Sequence, residues 1–137
     1  MVIVMDREIK LSSMISKIKH KLIELARQDK LITYGELVDF LRLDVKYKRL
    51  QGGVLFAWLN WLSRYERKHG RPLLSVLVVR EDTKLPGYGF AKLLGKYNVD
   101  SLYVLQMQRD CFEFWQDDEK YFRYKNDLPD SKAHEVH

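Results

Sequence analysis

Lys46, Tyr47, Lys48, Arg49 and Gln51 bring two ammonium groups, a guanidinium and an amide into six residues. Donors at that density suit phosphate oxygens and base edges, the acceptors that nucleic acid presents. Arg42 lies just upstream, and Arg80 and Lys84 belong to a second charged stretch that ends an apolar run. The alternative for the first cluster is that Gly52 and Gly53 interrupt its helix and Tyr47 turns into the core; for Arg80 and Lys84 it is a hairpin tip with solubilising charges.

The second stretch could carry a different chemistry. Asp82-Thr83-Lys84 has the acid-x-lysine order used by metal-dependent nucleases, which need further carboxylates to hold the metal and polarise water. Glu81 and Glu66 could be proposed for that role, but any acidic pair in the chain would fit as well. The histidines His20, His69, His134 and His137 have no cysteine or carboxylate partners at zinc-ligand spacing. Cys111 stands at an expected helix start, where the dipole favours a thiolate, yet no histidine near it in sequence could activate it; a structural cysteine is expected. Gly87 and Gly89 make a G-x-G without the third glycine or the Lys-Ser/Thr pair of a phosphate loop. Trp58, Trp61 and Trp115 fit a core better than a base-stacking platform. No catalytic residue, metal or cofactor is therefore expected, and binding is favoured over catalysis.

The elements that must position these residues follow from periodicity. Met1–Met5 reads as a first strand. Ser12 and Ser13 offer N-caps to a helix running to about Asp29, with Met14, Ile15, Ile18, Leu22, Leu25 and Ala26 on one face. Leu31 and Ile32 are strand-like, and Thr33 with Glu36 forms a capping box for a second helix whose Leu37, Phe40 and Leu41 turn inward. A third helix is expected from about Lys46 to Lys68, with a stripe of Leu50, Val54, Ala57, Trp58, Trp61, Leu62 and Tyr65. Gly52 and Gly53 leave open a kink, a close approach or a later start. Leu73–Val79 reads as a buried strand, Pro86-Gly87 as a type II turn, Phe90–Leu94 as one helical turn closed by Gly95, and Ser101–Met107 as another strand. Asp110 and Glu113 would open a last helix to about Lys125, leaving a polar, loose tail.

Length and composition permit one domain, here residues 1–125, followed by the flexible tail 126–137. A lone cysteine excludes an intrachain disulfide and suits a reducing, cytoplasmic compartment. The apolar start is broken by Asp6, Arg7 and Glu8, too soon for a signal peptide or a membrane span. Residues 1–109 hold 20 Lys and Arg against 11 Asp and Glu, a net +9, whereas 110–137 hold 4 against 8, a net −4. A basic body of this kind steers towards polyanions or acidic protein surfaces.

The run "RPLLSVLVVREDTKLPGYGFAKLLG" followed by "FEFWQDDEKYF" resembles a group of small bacterial and phage-associated domains with a helical front, a PLLSxLVV strand, a Pro-Gly-x-Gly-Phe loop and an aromatic-Trp helix. "ITYGEL" is similar to the strand-to-helix junction of several winged-helix proteins. Together these cover about residues 31–122. Lys84 departs from a glycine common in the pattern, and Tyr97–Met107 is an addition to it. The resemblance implies an architecture and no activity. The expected fold is thus α+β and winged-helix-like, with three N-terminal helices, a small antiparallel sheet and a C-terminal helix. Its expected function is non-enzymatic binding of nucleic acid, most of all duplex DNA. The alternatives are a protein-interaction module, such as a phage or mobile-element inhibitor of a host enzyme, and, third, a metal-dependent nuclease.

Overall fold

The computed structural model describes residues 2–41, 53–95 and 100–129. The chain is α+β, with helices dominating. Helix α1 (Val2–Arg27) leads into β1 (Ile32–Thr33) and α2 (Tyr34–Leu41); α3 is described from Gly53 to Lys68. A short 3-10 helix (Leu74–Leu77), β2 (Val78–Val79), α4 (Tyr88–Leu93), α5 (Ser101–Gln116) and α6 (Asp118–Tyr124) follow.

The six residues expected on the inner face of α1 are all buried. The helix nevertheless begins earlier than expected: Val2–Met5 of the expected strand are helical, and Ser12 and Ser13 lie inside α1 rather than at its cap. Its C-terminus closes with Lys30 N–H on Leu25 O and Asp29 N–H on Ala26 O, with Asp29 in the left-handed region (φ 56°) that glycine usually fills. The capping box of α2 forms as expected, with Glu36 N–H donating to Thr33 Oγ1 and Thr33 N–H to Glu36 Oε1. Leu37 and Leu41 turn inward, but Val38 takes the place expected for Phe40, which stays in solvent beneath the Lys21 ammonium.

The sheet is parallel, not antiparallel: β1 and β2 pair through Ile32 with Val78 and Thr33 with Val79. Two residues are all that β1 can offer, because the capping box starts α2 at Tyr34. Leu73–Val79 is buried throughout as expected, but only its last two residues find a strand partner. The rest winds into the 3-10 helix, whose buried polar groups are met by side chains. Ser63 Oγ accepts from Ser75 N–H at 3.1 Å, and Gln108 Nε2 donates to Val76 O at 3.1 Å.

Ser101–Met107 is helix rather than strand. Asp100 caps α5 by accepting from Leu102 N–H, and Val104, Gln108, Cys111 and Trp115 form its buried stripe at steps of four, three and four. Asp110 and Glu113 therefore lie within α5 and open nothing; Asp117 caps α6. α1 packs along α5, and the 3-10 segment fills the space between α1, α3 and α5. Gly87 has φ −82°, so Pro86-Gly87 is not a type II turn, whereas Gly95 (φ 72°) closes α4 as expected.

Candidate functional site

Arg80 and Lys84, where a winged-helix fold would carry its wing, lie on a closed turn rather than on a hairpin. Arg80 N–H donates to Leu85 O and Lys84 N–H to Arg80 O, both at 2.9 Å, and Lys84 takes φ 58°. Arg80 holds Asp82 through two bonds, Nε to Oδ1 at 3.1 Å and an NH2 nitrogen to Oδ2 at 2.9 Å. That partner keeps the Asp82 carboxyl below its usual range. The acid-x-lysine pair does not assemble with Glu66, which is fully buried elsewhere. Among the described residues, no group of three His, Cys, Asp or Glu comes together to hold a metal ion. Arg42, Lys46, Tyr47, Lys48, Arg49 and Gln51 lie outside the described residues.

The turn is nonetheless docked against the helical front. A methyl group at Gly87 would stand 3.7 Å from the Tyr34 ring and 3.8 Å from the Arg80 side chain, and the Tyr34 ring meets Phe56 of α3 at 4.8 Å. Arg80 thus lies near Tyr34, which reaches Phe56 of α3, and the charge of Lys84 acts on Glu36 in the first turn of α2. The solvent side of α3 differs from the stripe expected for it. Leu55, Leu59, Leu62, Ser63 and Glu66 are buried, Ala57 is exposed, and Trp58, Trp61 and Tyr65 are half-buried. Arg64, Arg67 and Lys68 are exposed with no carboxylate between them, because Glu66, the only acid of α3, points into the core.

What Glu66 does there is the feature that periodicity missed. Lys19 Nζ lies 3.3 Å from Glu66 Oε2, and Arg71 straddles the same carboxylate at 3.1 and 2.7 Å. Gly70 makes this possible: its φ of 73° ends α3 so that Arg71 N–H reaches back to Glu66 O, and the guanidinium then lies over the Glu66 carboxylate. Arg71 also donates to Asp127 Oδ2 at 2.9 Å, Tyr65 Oη donates to Asp127 Oδ1 at 2.7 Å, and Lys19 donates to the Asp127 carbonyl. Asn126–Leu128, expected in a loose tail, are consequently tied to α1 and α3. His20 bonds Asn126, and Leu128 packs on the core.

Burial pulls the Lys19 pKa down despite the charge and hydrogen bond of Glu66. Burial also opposes ionisation of Asp127, but hydrogen bonds from Tyr65 and Arg71, with the charges of Arg71 and Lys19, outweigh it and hold that pKa low. The Lys19 and Glu66 side chains are 0% exposed. A substrate cannot reach them in this arrangement, so the network holds helices together rather than meeting a ligand. Cys111 is buried beside it, and burial pushes its thiol well up, in keeping with a structural cysteine.

No protein-family model, curated protein or solved structure matches this chain. Among the described residues, no helix is long and apolar enough to cross a membrane.

The network supplies a spectroscopic check on its own geometry. Burial, with the bond to Asp127 in the case of Tyr65, pushes the phenols of Tyr34 and Tyr65 up to about 12. Phenolate absorbance near 295 nm should show these two ionising late, and Tyr65→Phe should delete one of the late steps. A folded pKa above the unfolded one contributes stability that is present below the unfolded value and lost as pH rises through the folded value. Alkaline unfolding should therefore set in as these late phenolates form. Ionisation of all tyrosines in a single normal step would contradict this placement.

Proposed function

We propose that the protein is a non-enzymatic nucleic-acid-binding domain, with duplex DNA as its target. The observation that carries this reading is the solvent side of α3, where Arg64, Arg67 and Lys68 form a cationic edge uninterrupted by acid. At about 1.5 Å per residue, α3 runs roughly 16 Å from Phe56 to Arg67, and Phe56 is where Tyr34, which neighbours Gly87, meets the helix. In this reading the front works as a winged helix does, with α3 as the contact helix and the turn bearing Arg80 and Lys84 in the place of a wing. The cluster Lys46, Lys48 and Arg49, with Arg42, Tyr47 and Gln51, adds donors from the chain just ahead of α3.

Contacts of this kind are made to phosphate. Each neutralised phosphate releases condensed counterion, so log K against log salt falls with a slope of about −0.9 per contact on duplex DNA. The test is anisotropy of a fluorescein-labelled duplex at salt from about 50 to about 200 mM. Micromolar or tighter binding is expected at the lower salt, with the slope reduced by roughly two to three in an Arg64→Ala/Arg67→Ala/Lys68→Ala variant. Failure to bind at low salt, or a slope indifferent to the triple substitution, would overturn the reading.

A further inference from the structure

Tyr103, in the first turn of α5, is 48% exposed beside a concavity that Met107 and Phe114 also line. Large apolar side chains grouped in solvent beside a concavity mark contact surfaces more often than chance exposure. Here the concavity is a groove of about 670 Å³ between α5 and the Gly70–Leu73 segment. Tyr103, Met107, Asp110 and Phe114 reach it from one face of α5, at steps of four, three and four. Pro72 and Leu73 form the opposite wall, and Leu94 lies at its apolar end. From Tyr103 to Asp117 the rim runs about 21 Å at helical rise, the length of a helix of about fourteen residues.

Charge gives the groove a direction. Asp110, Glu113 and Asp117 line it on the α5 side, and among the described residues none of the three has an ion-pair partner. Asp110 accepts only from the neutral amide of Gln106, and Asp117 from the backbone of α6. Three cations line the same groove from other elements. Arg71 is engaged by Glu66 and Asp127, the Lys120 ammonium lies 5.0 Å from the Phe114 ring centre, and Arg67 comes from α3 rather than from the α5 lip. On a chain with a net charge of +5, the α5 wall of this groove is thus anionic.

We propose that this groove docks a basic amphipathic helical segment of a partner protein. The apolar side chains of the segment would enter beside Leu94, Tyr103 and Met107, and its lysines or arginines would meet Asp110, Glu113 and Asp117. The site adjoins the cationic edge of α3 at Arg67, which borders both, and the charge preference of its α5 wall is the opposite one.

The probe is a fluorescein-labelled fourteen-residue amphipathic helix of leucine and lysine, compared with the same peptide carrying glutamate in place of lysine. Anisotropy is read with the full chain. Net charge alone favours the glutamate peptide, whereas the groove favours the lysine peptide, so the two ideas predict opposite orders. The expected result is at least tenfold tighter binding of the lysine peptide. Asp110→Lys/Glu113→Lys should weaken that binding at least tenfold, and Tyr103→Ser should weaken it several-fold. All three positions are exposed, and unchanged circular dichroism would establish that the variants fold. Preference for the glutamate peptide, or lysine-peptide affinity unaltered in both folded variants, would overturn the proposal.

Discussion

Glu66→Gln is expected to destabilise the protein by about 3–5 kcal/mol, the cost typical of removing one partner from a buried ion pair. The isosteric amide keeps the packing and removes the only buried carboxylate that Lys19 and Arg71 share. Arg71 retains Asp127, whereas Lys19 is left with neutral acceptors, the Asp127 carbonyl and the new amide oxygen. Adding Lys19→Met should recover most of the loss, because an apolar side chain of similar length removes the stranded charge instead of leaving it in the core. The deficit of the single variant should also narrow as pH rises. A lysine whose folded pKa is depressed binds fewer protons in the folded state than in the unfolded one, so stability increases with pH between the two values. Urea unfolding at two pH values checks both statements, and a loss below about 1 kcal/mol would show that the network contributes little.

Trp115→Ala should cost a similar amount, about 3–5 kcal/mol, through loss of the largest fully buried side chain. On a domain of this size that is a fall in Tm of roughly 10–20 °C. Trp115→Phe should be far milder than its lost volume suggests. Trp115 Nε1 is buried with no hydrogen-bond partner among the described residues, and an orphan donor of that kind costs about 1–3 kcal/mol that phenylalanine does not incur. The ring also faces Lys19 Nζ at 5.6 Å, so alanine removes one wall of the charged network as well as opening a cavity. Similar melting temperatures for the alanine and phenylalanine variants would contradict this.

The parts of the fold that the sequence made legible are those decided locally. The inner stripe of α1, the capping box of Thr33 and Glu36, and the closure of α4 at Gly95 each depend on neighbours within a turn or two. Elements decided by distant partners were misread. Leu73–Val79 has the composition of a strand, but its length as one was set by how few residues β1 supplies. Ser101–Met107 alternates over seven residues as a strand would, and the helix emerges only when Val104 is seen in step with Gln108, Cys111 and Trp115.

The site residues divide in the same way. Arg80 and Lys84 are exposed as expected, while the cluster from Arg42 to Gln51 lies outside the described residues. Lys19 and Glu66 were not placed in the buried stripes, although each stands in phase with one: Lys19 four residues after Ile15, Glu66 four after Leu62. That phase was the available signal. It was overridden because the partner that makes burial tolerable is 47 residues away.

The packing of α1 on α5 also sets an order of events during synthesis. Arg27 bonds to the Trp115 carbonyl 88 residues later, and Lys19 to a carbonyl 108 residues later. At about 5–20 residues per second, α1 must wait roughly 4–18 s on the ribosome before α5 exists to cover it. Through that interval its Ile15, Ile18 and Leu22 stripe is open to other hydrophobic surfaces, and the Lys19 ammonium in the middle of the stripe is still hydrated and charged. The lysine that is costly to bury in the finished protein therefore makes the nascent helix a poorer template for aggregation.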